Sequence, residues 1–240
     1  MSVLDKTVQV IDVLGRASGP MRLGAVAEHV AMPKSSAHRL LAELAQLGLV
    51  RRAGEGEYAL GYRLVQWGHL ADRSVGLRSL AEPVMTELRD DVRESVHLYV
   101  RQDNHRVCVL SVEGPHTLRP VAVLGSPMPL GYGAAGKLLL AHADERVQLA
   151  VERELPEHRG RTLPTREELA AIRDRGVSVS IGEMEDGLTA VATPVRAPGG
   201  GVFAALAVAS VTTRMPVERH SEIVTRLADA AGRISVAIGG

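Results

Sequence analysis

The chain has 240 residues with 28 basic and 28 acidic side chains, a net charge of zero, and its 45% apolar and 23% charged composition is that of an ordinary globular protein. It contains no run of about 18 apolar residues, and Asp5 and Lys6 interrupt the N-terminus where a secretory leader needs an apolar core, so a cytoplasmic location and no membrane partner are expected. A single cysteine, Cys108, excludes an internal disulfide and a Cys-rich metal site, while one Phe and one Trp leave little for stacking on single-stranded nucleic acid.

Leu4, Val8, Ile11 and Leu14 recur at helical spacing over 3–16, and Gly19-Pro20 ends that helix. A short helix over 23–31 follows, with Leu23, Val26, Ala27 and Val30 on one face. Pro33 suits the first turn of the next helix, 33–48, which places Ala37, Leu40, Leu41, Leu44 and Leu47 inward, and Gly48 is a natural C-cap. Residues 49–52 and 57–60, joined by Gly54-Glu55-Gly56, read as a β-hairpin. Three helices and a hairpin in about 60 residues is the outline of a winged helix-turn-helix. Residues 62–75 continue as a helical linker.

The remainder alternates. A helix is expected over 77–91, strands over 95–101, 106–112 and 119–124, and helices over 134–143, 144–154 and 165–175. Strands return at 177–181, 189–196 and 202–211, before a closing helix from about 216 to 238. The whole is an α+β protein: a winged helix-turn-helix over 1–61, a linker over 62–76, and a sheet domain over 77–240.

In a helix-turn-helix the second helix enters the major groove, and residues near its N-terminus meet the base edges. Here that helix opens with Lys34, Ser35, Ser36, His38 and Arg39 crowded opposite its apolar stripe. Arg39 can fork onto a guanine, and the serines can bond phosphate or base edges. Arg51 and Arg52 sit where a wing would touch the duplex. Bulk charge adds little: residues 1–75 hold nine basic side chains against seven acidic. The same pattern also suits a protein-interaction module that never touches DNA, and Ala31 stands in the inter-helix turn where glycine is commoner.

Several motifs imitate other chemistry. Gly131-Tyr132-Gly133-Ala134-Ala135-Gly136 matches a dinucleotide-binding pattern, and with Lys137 it nearly matches a phosphate-binding loop, which keeps a nucleotide- or small-molecule-using enzyme as an alternative. Leu138 stands where a Ser or Thr would hold Mg²⁺. Pro127 and Pro129 argue against a buried strand before the loop, and the motif lies in mid-chain. Histidines 97, 105, 116, 142, 158 and 220 show no metal-ligand spacing. Glu183, Glu185 and Asp186 read as a solvated loop with one acid at a pocket rim, and Cys108 reads as a small core residue. No catalytic residue, metal or cofactor is assigned.

The run MPKSSAHRLLAELAQLGLVRR followed by YALGYRL resembles the IclR family of transcriptional regulators. The likeness continues through Pro129-Leu130, Gly136-Lys137, Leu139-Leu140-Ala141, Arg173, Gly176, Glu183, Gly187, Thr193-Pro194-Val195 and Ala204-Ala205-Leu206, in order and at suitable spacing. Ser36 occupies a position where the family usually has threonine. The resemblance implies a homodimer on a near-palindromic double-stranded operator, with the larger domain a GAF-like sensor of a small-molecule effector that often pairs dimers into tetramers. Whether it represses or activates is left open.

The resemblance also places an effector site. The Asp, Cys and two Ser that hold a small carboxylate in keto-acid-sensing relatives fall on Ser180, Ala190, Ala207 and Ala209. Ala134 and Ala135 would present backbone donors at a helix start, and Leu118, Val121, Leu130 and Leu188 would form apolar walls. Three of the four side-chain anchors have therefore become alanine. Because a buried acid without hydrogen-bonding partners is strongly disfavoured, a larger and more apolar or aromatic effector than glyoxylate or pyruvate is expected. A pocket that no longer binds, in a domain that only assembles oligomers, is the other outcome.

Overall fold

Ser2 starts the first helix because its hydroxyl accepts from the Asp5 amide while the Asp5 carboxylate accepts from the Ser2 amide, a reciprocal cap. The structure, a computed structural model, describes residues 2–155, 157–158 and 160–239, and side chains at all of these except 69, 71–75 and 157–158. His158, among the histidines weighed above, has its side chain outside that description. The chain divides into two units, Met1–Gly76 and Leu77–Gly240.

In the first unit α1 (Val3–Arg16), α2 (Leu23–His29) and α3 (Lys34–Gln46) enclose a core of Val10, Leu14, Val26, Val30, Leu40, Leu41 and Leu44. Val50 and Tyr58 close it from β2 (Val50–Gly54) and β3 (Glu57–Leu60). The expected hairpin gains a third strand. β1 (Met21–Arg22) pairs Met21 with Tyr58 and Arg22 with Glu57, giving the order β1-β3-β2. Two residues are too few to show periodicity, and only the partner strand defines them. Between α2 and α3 the chain reverses at Ala31, with φ of 47°, and the Met32 amide returns to the Ala27 carbonyl at 3.0 Å. The unit ends with α4 (Tyr62–Val75).

The second unit is built on a six-stranded sheet in the order β6-β5-β4-β11-β10-β9, every pair antiparallel. Its strands are β4 (Ser95–Gln102), β5 (His105–Val112), β6 (Pro127–Pro129), β9 (Ser178–Ile181), β10 (Leu188–Arg196) and β11 (Val202–Val211). The helices are α5 (Leu77–Val92), α6 (Gly133–Ala141), α7 (Glu145–Glu154), α8 (Arg166–Arg175) and α9 (His220–Gly239). A two-residue pair, β7 (Glu157–His158) with β8 (Arg161–Thr162), lies between α7 and α8.

Strand alternation buries both faces of the sheet. Along β11, Ala204, Leu206 and Val208 join the α5 and α9 side, with Met85, Leu88, Ile223 and Leu227, while Ala205 and Ala207 join the side of α6, α7 and α8, with Leu138, Val151 and Ile172. Two expectations change. Residues 119–124 form no strand: β6 pairs with β5 only at His105–Val107, and the Pro120 carbonyl is held by the Ser95 hydroxyl instead. The expected helix over 216–238 begins as a 3₁₀ turn, Val217–Arg219, before α9.

Candidate nucleic-acid interface and ligand pocket

Helix α3 begins after Pro33, whose backbone is extended, and no side chain caps it. Its first-turn amides therefore add donors to whatever surrounds that tip. Around them Lys34, Ser35, His38 and Arg39 are exposed and Ser36 is half-buried, while Ala37, Leu40, Leu41 and Leu44 fix the opposite face in the core. The structure thus gathers the five helix residues picked from the sequence at one exposed end.

The two wing arginines separate. In β2, Arg51 lies opposite Ala59 and Arg52 opposite Tyr58, so they project from opposite faces of the hairpin. Arg51 rests over the Tyr62 ring, 5.5 Å from its centroid. At the other end of α3, Gly61 lies against the Gly48 carbonyl with no room for a Cβ, and its amide donates to the Leu49 carbonyl at 2.8 Å. The start of α4 is thereby fixed to the end of the recognition helix.

In the second unit a cavity of about 250 Å³ opens between the sheet and the start of α6. Eight of the ten residues picked for an effector site line it: Val121, Ala134, Ala135, Ser180, Leu188, Ala190, Ala207 and Ala209. Leu118 and Leu130 do not. Leu118 sits on the 113–126 loop with 71% of its surface exposed, and Leu130 is turned fully into the core beneath α6.

The lining also holds His97, Tyr99, Arg106, Met128 and Met184, none of which was picked. His97 donates to or accepts from Ser111 Oγ at 3.0 Å, and burial, opposed weakly by the Glu113 charge, pulls its pKa down to about 4. Burial likewise pushes the Tyr99 phenol up to about 12 and the Cys108 thiol up to about 11. Arg106 is 4% exposed. One Nη donates to the Tyr132 carbonyl, the other approaches Met128 Sδ at 3.8 Å, and the guanidinium lies 5.3 Å from the Tyr99 ring centroid.

The glycine-rich loop has a use unrelated to nucleotides. Gly131, with φ of 91°, leaves no room for a Cβ against Leu163, Gly136 leaves none against the Arg106 guanidinium, and Gly133 leaves none against Met184. The Gly133 amide at the start of α6 donates to Glu183 Oε2 at 3.0 Å, and Glu183 Oε1 meets Lys137 Nζ at 2.5 Å. Lys137 and the helix start are thus both engaged by a carboxylate of the same unit. Of the three acids read as a loop, Glu183 is the one bonded to a residue that lines the cavity, Gly133.

Two family models match in chain order: the IclR helix-turn-helix domain over residues 3–54, and the bacterial transcriptional regulator IclR C-terminal domain over residues 69–236. The chain belongs to the IclR family. Among its curated relatives is the HTH-type transcriptional regulator KdgR of Escherichia coli K12, 32% identical, with 98% of this chain and 94% of that protein covered. Another is the transcriptional repressor IclR of the same organism, 27% identical over 99% of this chain and 90% of the other.

Solved IclR structures agree in fold. The Thermotoga maritima IclR superposes with a TM-score of 0.81 at 26% identity, covering 99% of this chain and 98% of the other. An IclR homolog from Microbacterium hydrocarbonoxydans, solved in complex with 4-hydroxybenzoate, superposes with a TM-score of 0.84 at 25% identity and covers 99% of both chains. Like its IclR relatives, this chain is a transcriptional regulator with a helix-turn-helix N-terminal to an effector-binding domain.

Ser180, Ala190, Ala207 and Ala209 line the cavity. Its ionised side chain comes from β5, at Arg106. The available signal was alternation: Arg106 stands two residues before Cys108, so both share a strand face, and a cation on the face of a core cysteine needs a reason.

Proposed function

We propose that this regulator acts as a homodimer able to pair into a dimer of dimers, reads a near-palindromic operator with α3, and releases or grips it according to the occupancy of the 250 Å³ cavity. The observation that carries the DNA half is the uncapped, exposed start of α3 ringed by Lys34, Ser35, His38 and Arg39. Residues 1–61 read DNA, 62–76 connect, and 77–240 sense. Val3, Leu4 and Val8 on α1 and Tyr62, Val65 and Leu70 on α4 are exposed apolar side chains, which suits coverage by a second copy. The protein works in the cytoplasm and is not an enzyme. Its relatives are named as regulators, and the glycines of the 131–136 loop are accounted for by packing.

For the sensing half, an apolar cavity of about 150 Å³ accommodates benzene, so 250 Å³ takes one substituted ring. The apolar Val121, Leu188 and Met184 and the three alanines suit such a body. That the Microbacterium homolog was solved with 4-hydroxybenzoate supports the same size class. Effector and DNA are coupled only if the ligand prefers one arrangement of the dimer.

The test is fluorescence anisotropy of the full chain on duplex DNA from upstream of its own gene, at several salt concentrations, with and without 4-hydroxybenzoate. Sequence-specific binding that shifts with the aromatic compound is the expected result. Equal binding to operator and random duplex would remove the regulator mechanism, and an unshifted isotherm at saturating ligand would remove the coupling.

A further inference from the structure

We infer that Arg106 is the anion anchor of this pocket, so that the effector is a ring-sized molecule carrying a carboxylate. The inference rests on the pocket reading above and deepens it.

Arg106 is 4% exposed, and its Nε is buried with no hydrogen-bond partner among the described residues. Its two recorded bonds go to neutral acceptors, the Tyr132 carbonyl and the Met128 sulfur. No carboxylate among the described residues pairs with it. Glu183, the acid that bears on it through space, is bonded to Lys137 Nζ and to the Gly133 amide. Burying a guanidinium this way opposes its charge, and the pKa is drawn down from the ordinary arginine value by desolvation, with only partial relief from Tyr99, Glu183 and Cys108. Arginine stays protonated regardless, so the site keeps a cation.

The surroundings add to the excess. Lys137 and the positive end of α6 both bond Glu183, and Arg106 feels the same carboxylate only through space, so one ionised acid serves three positive groups. A guanidinium with a free N–H matches a carboxylate, whose oxygens can accept in the fork geometry. Two features show that the position is built: Gly136 leaves space that a Cβ would take from the guanidinium, and the Tyr99 ring lies beside it. Most of the remaining wall is apolar, including Val121, Leu188, Ala190 and Ala207, and its polar side chains are neutral, which suits a hydrocarbon ring and does not suit a second charge. The anchoring has thus moved from β9, β10 and β11, where the resemblance placed it, to β5.

The experiment is isothermal titration of the full-length protein with benzoate and 4-hydroxybenzoate and with the neutral amides of each, on the wild type and on R106M. The wild type is expected to bind the acids at least about tenfold more tightly than the amides, since a charge-assisted hydrogen bond in a buried site is at stake. In R106M that preference disappears while the amides still bind. R106M is also expected to melt no lower than the wild type, because an apolar side chain of similar length relieves a buried unpaired charge. Equal wild-type affinity for acid and amide would overturn Arg106 as anchor and leave the ring-sized pocket standing. Acid preference retained in R106M would overturn it as well. No binding of any of the four compounds would remove the pocket reading and this inference together. If R106M fails to fold, the wild-type comparison decides alone.

Discussion

Arg63 Nη1 donates to the Leu47 carbonyl at 2.9 Å, so the first turn of the linker helix caps the last turn of the DNA-reading helix. The same guanidinium lies 5.0 Å from the Trp67 ring centroid, and the Arg63 amide reaches the Gly48 carbonyl at 3.4 Å. Gly61 makes this approach possible, since a Cβ there would collide with the Gly48 backbone. We predict that Gly61→Ala destabilises the first unit by about 2 kcal/mol, the range of an overpacked site. The check is hydrogen exchange of the full chain: protection should fall in α3 and α4 and stay unchanged in the six-stranded sheet. Unchanged protection in α3 would show that the junction yields without cost.

The recognition helix and the wing should fail differently. Arg39→Ala removes an exposed fork from the tip of α3 and is expected to reduce discrimination between operator and random duplex by about 1–3 kcal/mol. Arg52→Ala is expected to weaken both equally and to flatten the salt dependence by about one counterion. Arg51, resting on Tyr62, should contribute less to DNA than Arg52. Binding isotherms across salt separate the three, and an Arg39→Ala protein with intact discrimination would place the reading face elsewhere on α3.

Ala31 occupies a left-handed conformation, with φ of 47°, that favours glycine. The turn is fixed by the Met32 amide on the Ala27 carbonyl and by Lys6 Nζ on the Val30 carbonyl at 2.6 Å, so the side chain is carried into a strained position by its surroundings. Ala31→Gly is therefore expected to stabilise the first unit by about 0.5–1 kcal/mol, the relief of the αL penalty less the entropy that glycine adds to the unfolded chain. Slower exchange of the α2 and α3 amides in the variant would show it, and faster exchange would contradict it.

These elements also show where sequence legibility stops. Helices α1, α3, α4, α5 and α8 announce themselves because each has a one-sided apolar stripe or a capping residue that local spacing reveals. β1 and β6 are defined by a partner strand remote in sequence, and 119–124 has strand composition while its neighbourhood is held by the Ser95 and Arg214 side chains. The α3 residues proposed to face DNA were legible as a group because they share one exposed helix tip. Arg106 was legible only as a cation on the face of Cys108; that no acid pairs with it depends on Glu183 turning to Lys137 and Gly133 across the fold. The glycines of the 131–136 loop were conspicuous in sequence and misleading in motif, since their role is space for Arg106 and Leu163.

His97 gives the sensing unit a pH dependence. Burial lowers its pKa from 6.5 to about 4, so the folded state holds it neutral. Between those two values the unfolded chain binds a proton that the folded chain does not, and stability falls as the pH drops through this window. The contribution is full above pH 6.5 and lost by about pH 4, on the order of 3 kcal/mol in total. The groups around it are Ser111, Tyr99 and the Glu113 charge, and the last opposes the shift only in part. Melting curves of wild type and His97→Gln should diverge with pH in this window, the glutamine protein losing less on acidification. Parallel curves would mean that His97 protonates in the fold as readily as out of it.

The wall of the pocket depends on an ion pair far along the chain. Glu94, 1% exposed, accepts two bonds from Arg214 at 2.9 Å each, and Arg214 also holds the Leu118 carbonyl at 3.1 Å. Beside it, Ser95 Oγ donates to the Pro120 carbonyl at 3.0 Å and accepts from the Gly114 amide at 3.1 Å. The 113–126 loop, which carries Val121 and Val123 to the cavity, is thus hung from residues at the start of β4 and the end of β11. Arg214→Met leaves a buried carboxylate without its cation and should cost about 3 kcal/mol, less than the upper range for such losses because Arg214 is partly solvated. Replacing Glu94 with Gln in the same protein should restore most of that stability, since it removes the charge and not merely its partner. Affinity for an aromatic ligand should fall in both proteins, because the Leu118 carbonyl has lost its donor in each. Affinity recovered together with stability in the double variant would mean that the Arg214 bond to the Leu118 carbonyl does not position the loop.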